Sequence, residues 1–432
     1  MKISKTTWAE SKPALSAIRR MVFIEEQCVP EELEWDGEDA GALHVLVEED
    51  GQPVGCARML ADGHIGRMAV LQPYRQKGAG RLMLKTLLME AEKLRRGRVF
   101  LNAQTQASGF YAKYGFNQVG GAFPDANIPH VRMEKTLDNF SETLNARFGI
   151  PGRLRFQDAA PGVPVAEITT PDAMARIAVQ GGQVLEWQPN GHKPVIWVSR
   201  AAVYQTGKGV RGGVPVCWPW FGVTDKGAHG FVRTRMWEVR EARTGLADTV
   251  ELRLGIKDDE STRAIWNHAF DLELIVSVGA ALKIELVTHN TGAAPFTITD
   301  GLHTYFRVGD IHQTKVTGLD GTAYLDKVRN MEQFSQSGAV TFAGETDRVY
   351  LNTTADSLIE DPVLGRTIRI AKAGSHSTVV WNPWTEKEKS FPDMAAGEYA
   401  DMVCVETVNA GPGDITVAAG GKHVLTAIIG VE

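Results

Sequence analysis

Cysteine is scarce in this chain: Cys28, Cys56, Cys217 and Cys404 are the only four in 432 residues. Thiols so few and so scattered make no disulfide framework, and no Cys-x-x-Cys or paired Cys/His spacing suggests a zinc site. Cations are not in excess either. Lys and Arg number 46 against 52 Asp and Glu, a net charge of −6, which argues against a chain-wide nucleic-acid footprint or attraction to an anionic membrane. No apolar run approaches the roughly 18–20 residues of a membrane span. The opening Met1-Lys2-Ile3-Ser4-Lys5 leads into polar residues rather than a signal-peptide core. Glycine and proline follow no triplet period, and there is no internal repeat. The expectation is a cytoplasmic protein whose partners are small molecules.

What is present reads as ordinary globular usage, 43% apolar and 23% charged, long enough for two or three domains of roughly 100–200 residues. The two ends differ in period. Residues 1–138 mix helix and strand. Ser11-Lys12-Pro13 opens a helix with Leu15, Ile18, Val22 and Phe23 at helical spacing, His44–Val47, Val54–Met59 and Val99–Leu101 read as strands, and Gly80–Arg96 reads as a long amphipathic helix. Beyond about residue 150 the period is two: Val250, Leu252, Leu254 and Ile256, then Phe270, Leu272, Leu274, Val276 and Val278. That pattern predicts a large antiparallel all-β domain. The polar stretch Asp138–Arg155 is the expected junction, giving domains of 1–138 and 139–432, with the whole negative excess in the second.

In the first half, Ile65–Val70 is a strand running through a glycine-bearing turn, Arg75-Gln76-Lys77-Gly78-Ala79-Gly80, into the long helix. Such a turn aims unpaired N–H groups and the positive end of a helix dipole at one point, an anion site suited to a phosphate or pyrophosphate. It lacks the Gly-Lys-Ser/Thr of a Walker loop and the Gly-x-Gly-x-x-Gly dinucleotide turn. Between Val22 and Ala57 stand eleven carboxylates and no Lys or Arg, read either as a solvated acidic loop or as a lure for a cationic amine. His44 and His64 read as structural.

In the second half, polar and glycine-rich stretches interrupt the β pattern: Arg211-Gly212-Gly213 with Trp218-Pro219-Trp220-Phe221-Gly222, then His229-Gly230-Phe231-Val232-Arg233, Leu302-His303-Thr304-Tyr305-Phe306, Asp347 within Thr346–Tyr350, and Glu406. Glu406 is a lone carboxylate in the apolar strand Met402–Val408. A buried carboxylate requires a partner, a raised pKa or a chemical task. The bland reading pairs it with Arg211 or Arg348; two glycine-flanked histidines in the same half favour a general acid/base pair.

The first half resembles the GNAT acetyltransferases, matching their Arg/Gln-x-x-Gly-x-Gly/Ala signature at Arg75, Gly78 and Gly80. Val22–Gln27, Val54–Arg58 and Ile128-Pro129-His130 look like the ElaA-type branch. That resemblance implies an α/β (α+β) fold with a mixed sheet, and acetyl-CoA as co-substrate. It places the pantetheine arm on main-chain groups of Met68 and Val70 and the pyrophosphate on Arg75, Gln76, Lys77, Gly78, Ala79 and Gly80. Tyr111 would protonate the leaving thiolate, an amine being the acceptor; the plainer reading of Tyr111 is a core aromatic. The second half, from about Leu144 to Gly430, resembles the hexose-6-phosphate mutarotases of the aldose 1-epimerase superfamily. It implies an all-β supersandwich of the galactose mutarotase type, with Glu406 as base on the anomeric hydroxyl and His303 as acid on the ring oxygen. His229, Asp347 and Trp220 would hold the sugar, and Arg211 and Arg233 the 6-phosphate. Ring opening needs neither metal nor cofactor. The readings set beside this bifunctional enzyme are a mutarotase with a silent, acetyl-CoA-sensing first domain, and a carbohydrate-binding protein without turnover.

Overall fold

The computed structural model describes residues 1–94, 98–137 and 140–432. Contacts divide the chain into two compact units, Met1–Phe140 and Ser141–Glu432. Asp138 and Asn139, at the expected junction, and Arg96, the expected last residue of the long helix, lie outside the described residues.

In the first unit an antiparallel sheet runs in the order β1 (Lys2–Thr6), β2 (Leu43–Glu49), β3 (Gln52–Met59), β4 (Ile65–Val70). A second sheet is built from β5 (Arg98–Gln104), β6 (Asn117–Asp125) and β7 (Ile128–Thr136), in the order β5-β7-β6. One parallel bridge, His64 to Phe100, connects β4 to β5. The sheet is therefore mixed, as expected, through that single contact, and beyond it no described strand covers the free edge of β4. Helix α1 (Trp8–Arg19) begins three residues before the expected start, with Thr7 and Glu10 forming a capping box. Its backbone breaks at Ser11 (φ −124°), which leaves Pro13 in the first turn after the break, a place suited to proline. Leu15, Ile18 and Val22 are buried against Leu46, Cys56 and Ala69. On the other side of the sheet, α3 (Ala79–Lys93; α2 is the single turn Glu31–Glu34) buries Met83, Leu84, Leu87, Leu88 and Ala91 against Val45, Val47, Ala57 and Leu101.

The acidic stretch 22–57 is only in part solvated: Glu25, Glu32, Glu38 and Asp50 are exposed, while Glu34 and Asp39 are buried. Its carboxylates recruit arginines from just outside: Arg19 holds Glu34 (2.5 Å) and Asp39 (2.7 Å), Arg58 holds Asp36 and Asp39, and Arg67 holds Glu34 (3.1 Å) and Asp36 (3.0 Å). Three guanidinium groups meet three carboxylates, and the Arg19 guanidinium stacks between Trp8 and Trp35. Removing one partner would strand a buried charge, the expensive way to break such a network.

In the second unit, after the helix Phe140–Phe148, comes a four-stranded antiparallel sheet spanning Leu154–Pro189. Two eight-stranded sheets follow, the architecture expected for the supersandwich. One contains the strands Val250–Lys257, Phe270–Val278 and Leu282–Asn290, paired consecutively. In Phe270–Val278 buried and half-buried residues alternate without exception, because a strand turns successive side chains to opposite faces. The other sheet contains Asp300–Leu302, Tyr305–Arg307, Thr346–Leu351, Ser377–Asn382 and Met402–Asn409. Met402–Asn409 is buried at all eight positions, as expected of a central strand covered on both faces.

Candidate active sites

In the first unit, β4 carries a bulge at Arg67 (φ +51°) where its register on β3 slips. The chain then turns through Gln76 (φ +62°) and Gly78 (φ +98°) into α3. Gly78 is the residue preceding the helix, and no side chain caps it; its left-handed backbone favours glycine. The first N–H groups of α3 thus face a cleft of about 990 Å³ lined by Met68, Val70, Gln76–Arg81, Phe110 and Tyr111. Gln76, Lys77, Gly78, Ala79 and Gly80 all border it. Arg75 does so differently from the expectation: its Nε–H donates to the Val70 carbonyl (2.9 Å), and both terminal nitrogens hold Glu26 at 2.6 Å. Its charge is spoken for, and it braces the turn. Arg81, which sequence reasoning missed, lies beside Gly78 and also lines the cleft. Tyr111 is half-buried; among the described residues its hydroxyl reaches only the Met68 sulfur, at 3.6 Å. Burial pushes its pKa up to about 12, so it holds its proton at neutral pH. A second cavity of about 310 Å³ shares Gln27, Met68, Ala107 and Tyr111 with the cleft and is bordered by Glu34, His64, Gln104, Asp125 and His130.

In the second unit the site grows from strand register. Tyr305 opposes Cys404 and Leu302 opposes Thr407. The same register carried across the break at His303 and Thr304 puts residue 303 opposite residue 406. His303 Nε2 lies 3.5 Å from Glu406 Oε1. Glu406 is 1% exposed, and its Oε2 and the Nδ1 of His303 are buried without a hydrogen-bond partner. The bland alternative fails on geometry: Arg211 pairs with Asp393 (3.0 Å) and Arg348 reaches toward Asp326 (3.9 Å). Burial drives the Glu406 carboxyl well up and the His303 imidazole well down, and the neighbouring His229 adds to the second shift. Both shifts favour the neutral forms, so the pair holds one proton between an acceptor and a donor.

The His303 ring stacks on Tyr305 (4.9 Å between centroids) and meets Phe221 and Trp381. Arg211 Nη1 donates toward the Tyr305 hydroxyl (3.4 Å), with its guanidinium over Phe391. The glycines beside it allow this approach: Gly213 has φ +69°, and a Cβ there would stand 2.4 Å from the Val184 carbonyl oxygen. His229 Nδ1 accepts the Gly222 N–H (3.2 Å), which leaves Nε2 carrying the hydrogen. Its ring is 5.4 Å from that of His303, and burial, with Arg233, Lys327 and Arg211 nearby, lowers its pKa to about 4. Arg233 is half-buried and makes no hydrogen bond or ion pair among the described residues. Asp347 is bridged at 3.3 Å by Lys327, whose ammonium also lies 5.6 Å from the centre of the Phe221 ring. Lys327 was not foreseen. Trp220 stands apart from the pair: it packs on Phe231 and donates to the Gly227 carbonyl, and Phe221 is the ring that borders the histidines.

An all-β supersandwich with a buried carboxylate and imidazole face to face, on one chain with an α/β unit whose glycine turn opens a helix, defines a mutarotase-type domain joined to an acetyltransferase-type domain. Known proteins bear out both. The aldose 1-epimerase family matches residues 164–429, and the acetyltransferase (GNAT) domain matches residues 11–137. The chain belongs to the aldose 1-epimerase family through its second unit and to the GNAT acetyltransferases through its first. A Salmonella typhimurium protein named "Putative glucose-6-phosphate 1-epimerase" is 40% identical over 244 residues, 56% of this chain and 81% of its own. A Bacillus subtilis "Putative acetyltransferase" is 34% identical over 145 residues, 32% of this chain and 99% of its own. The crystal structure of a "putative mutarotase" from Salmonella typhimurium matches with a TM-score of 0.61 at 35% identity, covering 65% of this chain and 94% of that one. No helix among the described residues is long and apolar enough to cross a membrane.

Proposed function

We propose that residues 139–432 interconvert the α and β anomers of a hexose 6-phosphate, glucose 6-phosphate first among them. The observation that carries this reading is the buried pair of Glu406 and His303, 3.5 Å apart, each with an unpaired polar atom. Glu406 takes the proton of the anomeric hydroxyl while His303 delivers one to the ring oxygen. The C1–O5 bond breaks, the open aldehyde rotates about C1–C2, and closure on the other face returns both protons. Proton count is conserved: the step starts with the pair's one proton on His303 and Glu406 ionised, and ends with it on Glu406, the direction that the raised Glu406 and lowered His303 pKa values favour. His229 and Asp347 hold ring hydroxyls, Phe221 supplies an apolar face, and Arg211 and Arg233 hold the phosphate. Lys327 adds a third cation, which binding of a dianion would release from Asp347. A free sugar needs none of this charge, so the cations favour the phosphorylated substrate. Charge-assisted bonds of this kind carry about 1.5–3 kcal/mol. Arg211→Ala is therefore expected to raise KM for glucose 6-phosphate roughly 10- to 100-fold while leaving that for free glucose nearly unchanged; equal losses for both sugars remove Arg211 from the phosphate site.

Residues 1–138 are assigned transfer of an acetyl group from acetyl-CoA to an amine. Amides of Gln76 to Gly80 and the open edge of β4 at Met68 and Val70 receive the co-substrate, with Arg81 and Lys77 as its cations. Tyr111, protonated at neutral pH, protonates the departing thiolate. The cavity behind Tyr111, bordered by Asp125 and His130, receives the amine, which attacks the thioester in its neutral form and loses its surplus proton to solvent.

A further inference from the structure

Cys404 lies two residues before Glu406 on the strand Met402–Asn409, so the two-residue period of a strand turns both side chains to one face. His303 reaches that face from the adjoining segment, between the strands Asp300–Leu302 and Tyr305–Arg307 that pair with Met402–Asn409. One donor atom from each of His303, Cys404 and Glu406 lies within 4.8 Å of the others. Ring opening uses only the edge between His303 and Glu406. Cys404 is a free thiol, fully buried, with no hydrogen bond among the described residues, and the second carboxylate oxygen of Glu406 is likewise unpartnered. We propose that His303, Cys404 and Glu406 form a three-ligand site for a soft divalent cation, zinc above all, which occupies the place of the anomeric centre and stops ring opening.

The donor set is one nitrogen, one sulfur and one oxygen, all ordinary zinc ligands. Bond lengths to zinc of about 2.0–2.3 Å put tetrahedral donors roughly 3.2–3.8 Å apart. The 3.5 Å between His303 and Glu406 already meets that, and the 4.8 Å limit on the other edges leaves at most about 1.6 Å of side-chain closure. Three protein ligands leave a fourth position for water or a sugar oxygen. Binding expels the proton of the thiol and that of the carboxyl, so the dication meets two anions formed as it arrives and the site's net charge does not change. Arg211 and Lys327 nearby therefore do not repel the loaded site. Metal affinity rises with pH, since protons compete for the same atoms. With its lone pairs committed to the metal, the pair cannot move protons to or from the sugar. Sequence spacing hides this site, because the ligands come from two chain segments a hundred residues apart and meet only through strand register.

The site itself rests on geometry; its effect on turnover rests on the mutarotase reading. Cobalt(II) added to the full-length, reduced, metal-stripped chain is expected to give a thiolate-to-cobalt charge-transfer band in the near ultraviolet, saturating at one cobalt per chain and bleached by excess zinc. Cys404→Ser should remove the band, and Cys28→Ser, at the exposed thiol, should leave it. Should Cys404→Ser fail to fold, Glu406→Gln is the second test, with cobalt affinity falling tenfold or more. Zinc should suppress glucose 6-phosphate anomer exchange in parallel with its displacement of cobalt. No band, a band that follows Cys28, or exchange that persists at zinc saturation overturns the proposal. Exchange absent from metal-free protein contradicts the mutarotase reading instead, and the band still reports the site.

Discussion

Glu406→Gln is expected to reduce anomer exchange of glucose 6-phosphate by about 10³-fold or more, to the rate of the buffer alone, while the chain stays folded. The amide matches the carboxylate in shape but accepts no proton, so the loss isolates the base. The same substitution should stabilise the fold. Burial raises the Glu406 pKa, so the folded state binds its proton more tightly than the unfolded chain does. Stability from this group is present below the unfolded carboxyl pKa of about 4.3 and is lost as pH rises toward the folded value. The Tm of Glu406→Gln should thus exceed that of the parent at pH 8, with the gap closing toward pH 4. A large exchange loss with a Tm gain marks a strained catalytic group; near-normal exchange removes Glu406 from the chemistry.

Gly78→Glu is expected to abolish acetyl-CoA binding by the first unit. It sets a side chain and a negative charge where the helix amides collect, and a residue other than glycine is strained at φ +98°. In the parent chain, acetyl-CoA at about 100 times its Kd adds about 2.7 kcal/mol to the stability of the state that binds it, a rise of roughly 5–10 °C in the transition of a unit this size. The variant starts from a lower Tm, so the informative quantity is the ligand-dependent shift, expected to vanish. No shift in the parent at millimolar acetyl-CoA would identify a first unit that has lost its co-substrate; a full shift in the variant would move the pyrophosphate away from the turn.

What the sequence disclosed, and what it hid, follows the range of the interactions. Elements with a clear period were legible: Phe270–Val278 alternates as written, and α3 buries the side its leucines mark. Glu406 was legible because a carboxylate inside an apolar strand is locally anomalous, and Gly78 because a helix-opening turn announces itself. Lys327 was not. It sits in a Lys-Val-Arg turn that reads as surface charge, and only the pairing of strands 323–326 and 346–351 brings it to Asp347. The acidic stretch misled for a related reason: the countercharges of its buried carboxylates, Arg19, Arg58 and Arg67, lie outside the stretch itself. Arg75 stands out in sequence as a motif residue, yet its bidentate grip on Glu26 depends on a helix about fifty residues upstream. Trp220 and Phe221 are adjacent, and which ring meets the histidines is set by backbone direction that composition does not encode.

The central claim is that a proton acceptor and donor at residues 406 and 303 open a phosphorylated sugar ring. Saturation-transfer NMR on the metal-free, full-length chain tests it most directly, by reading exchange between the α and β C1 protons of glucose 6-phosphate beside those of glucose at equal concentration. The account predicts exchange far above the buffer rate for glucose 6-phosphate and much weaker acceleration for glucose. Exchange of glucose 6-phosphate at the buffer rate would contradict it.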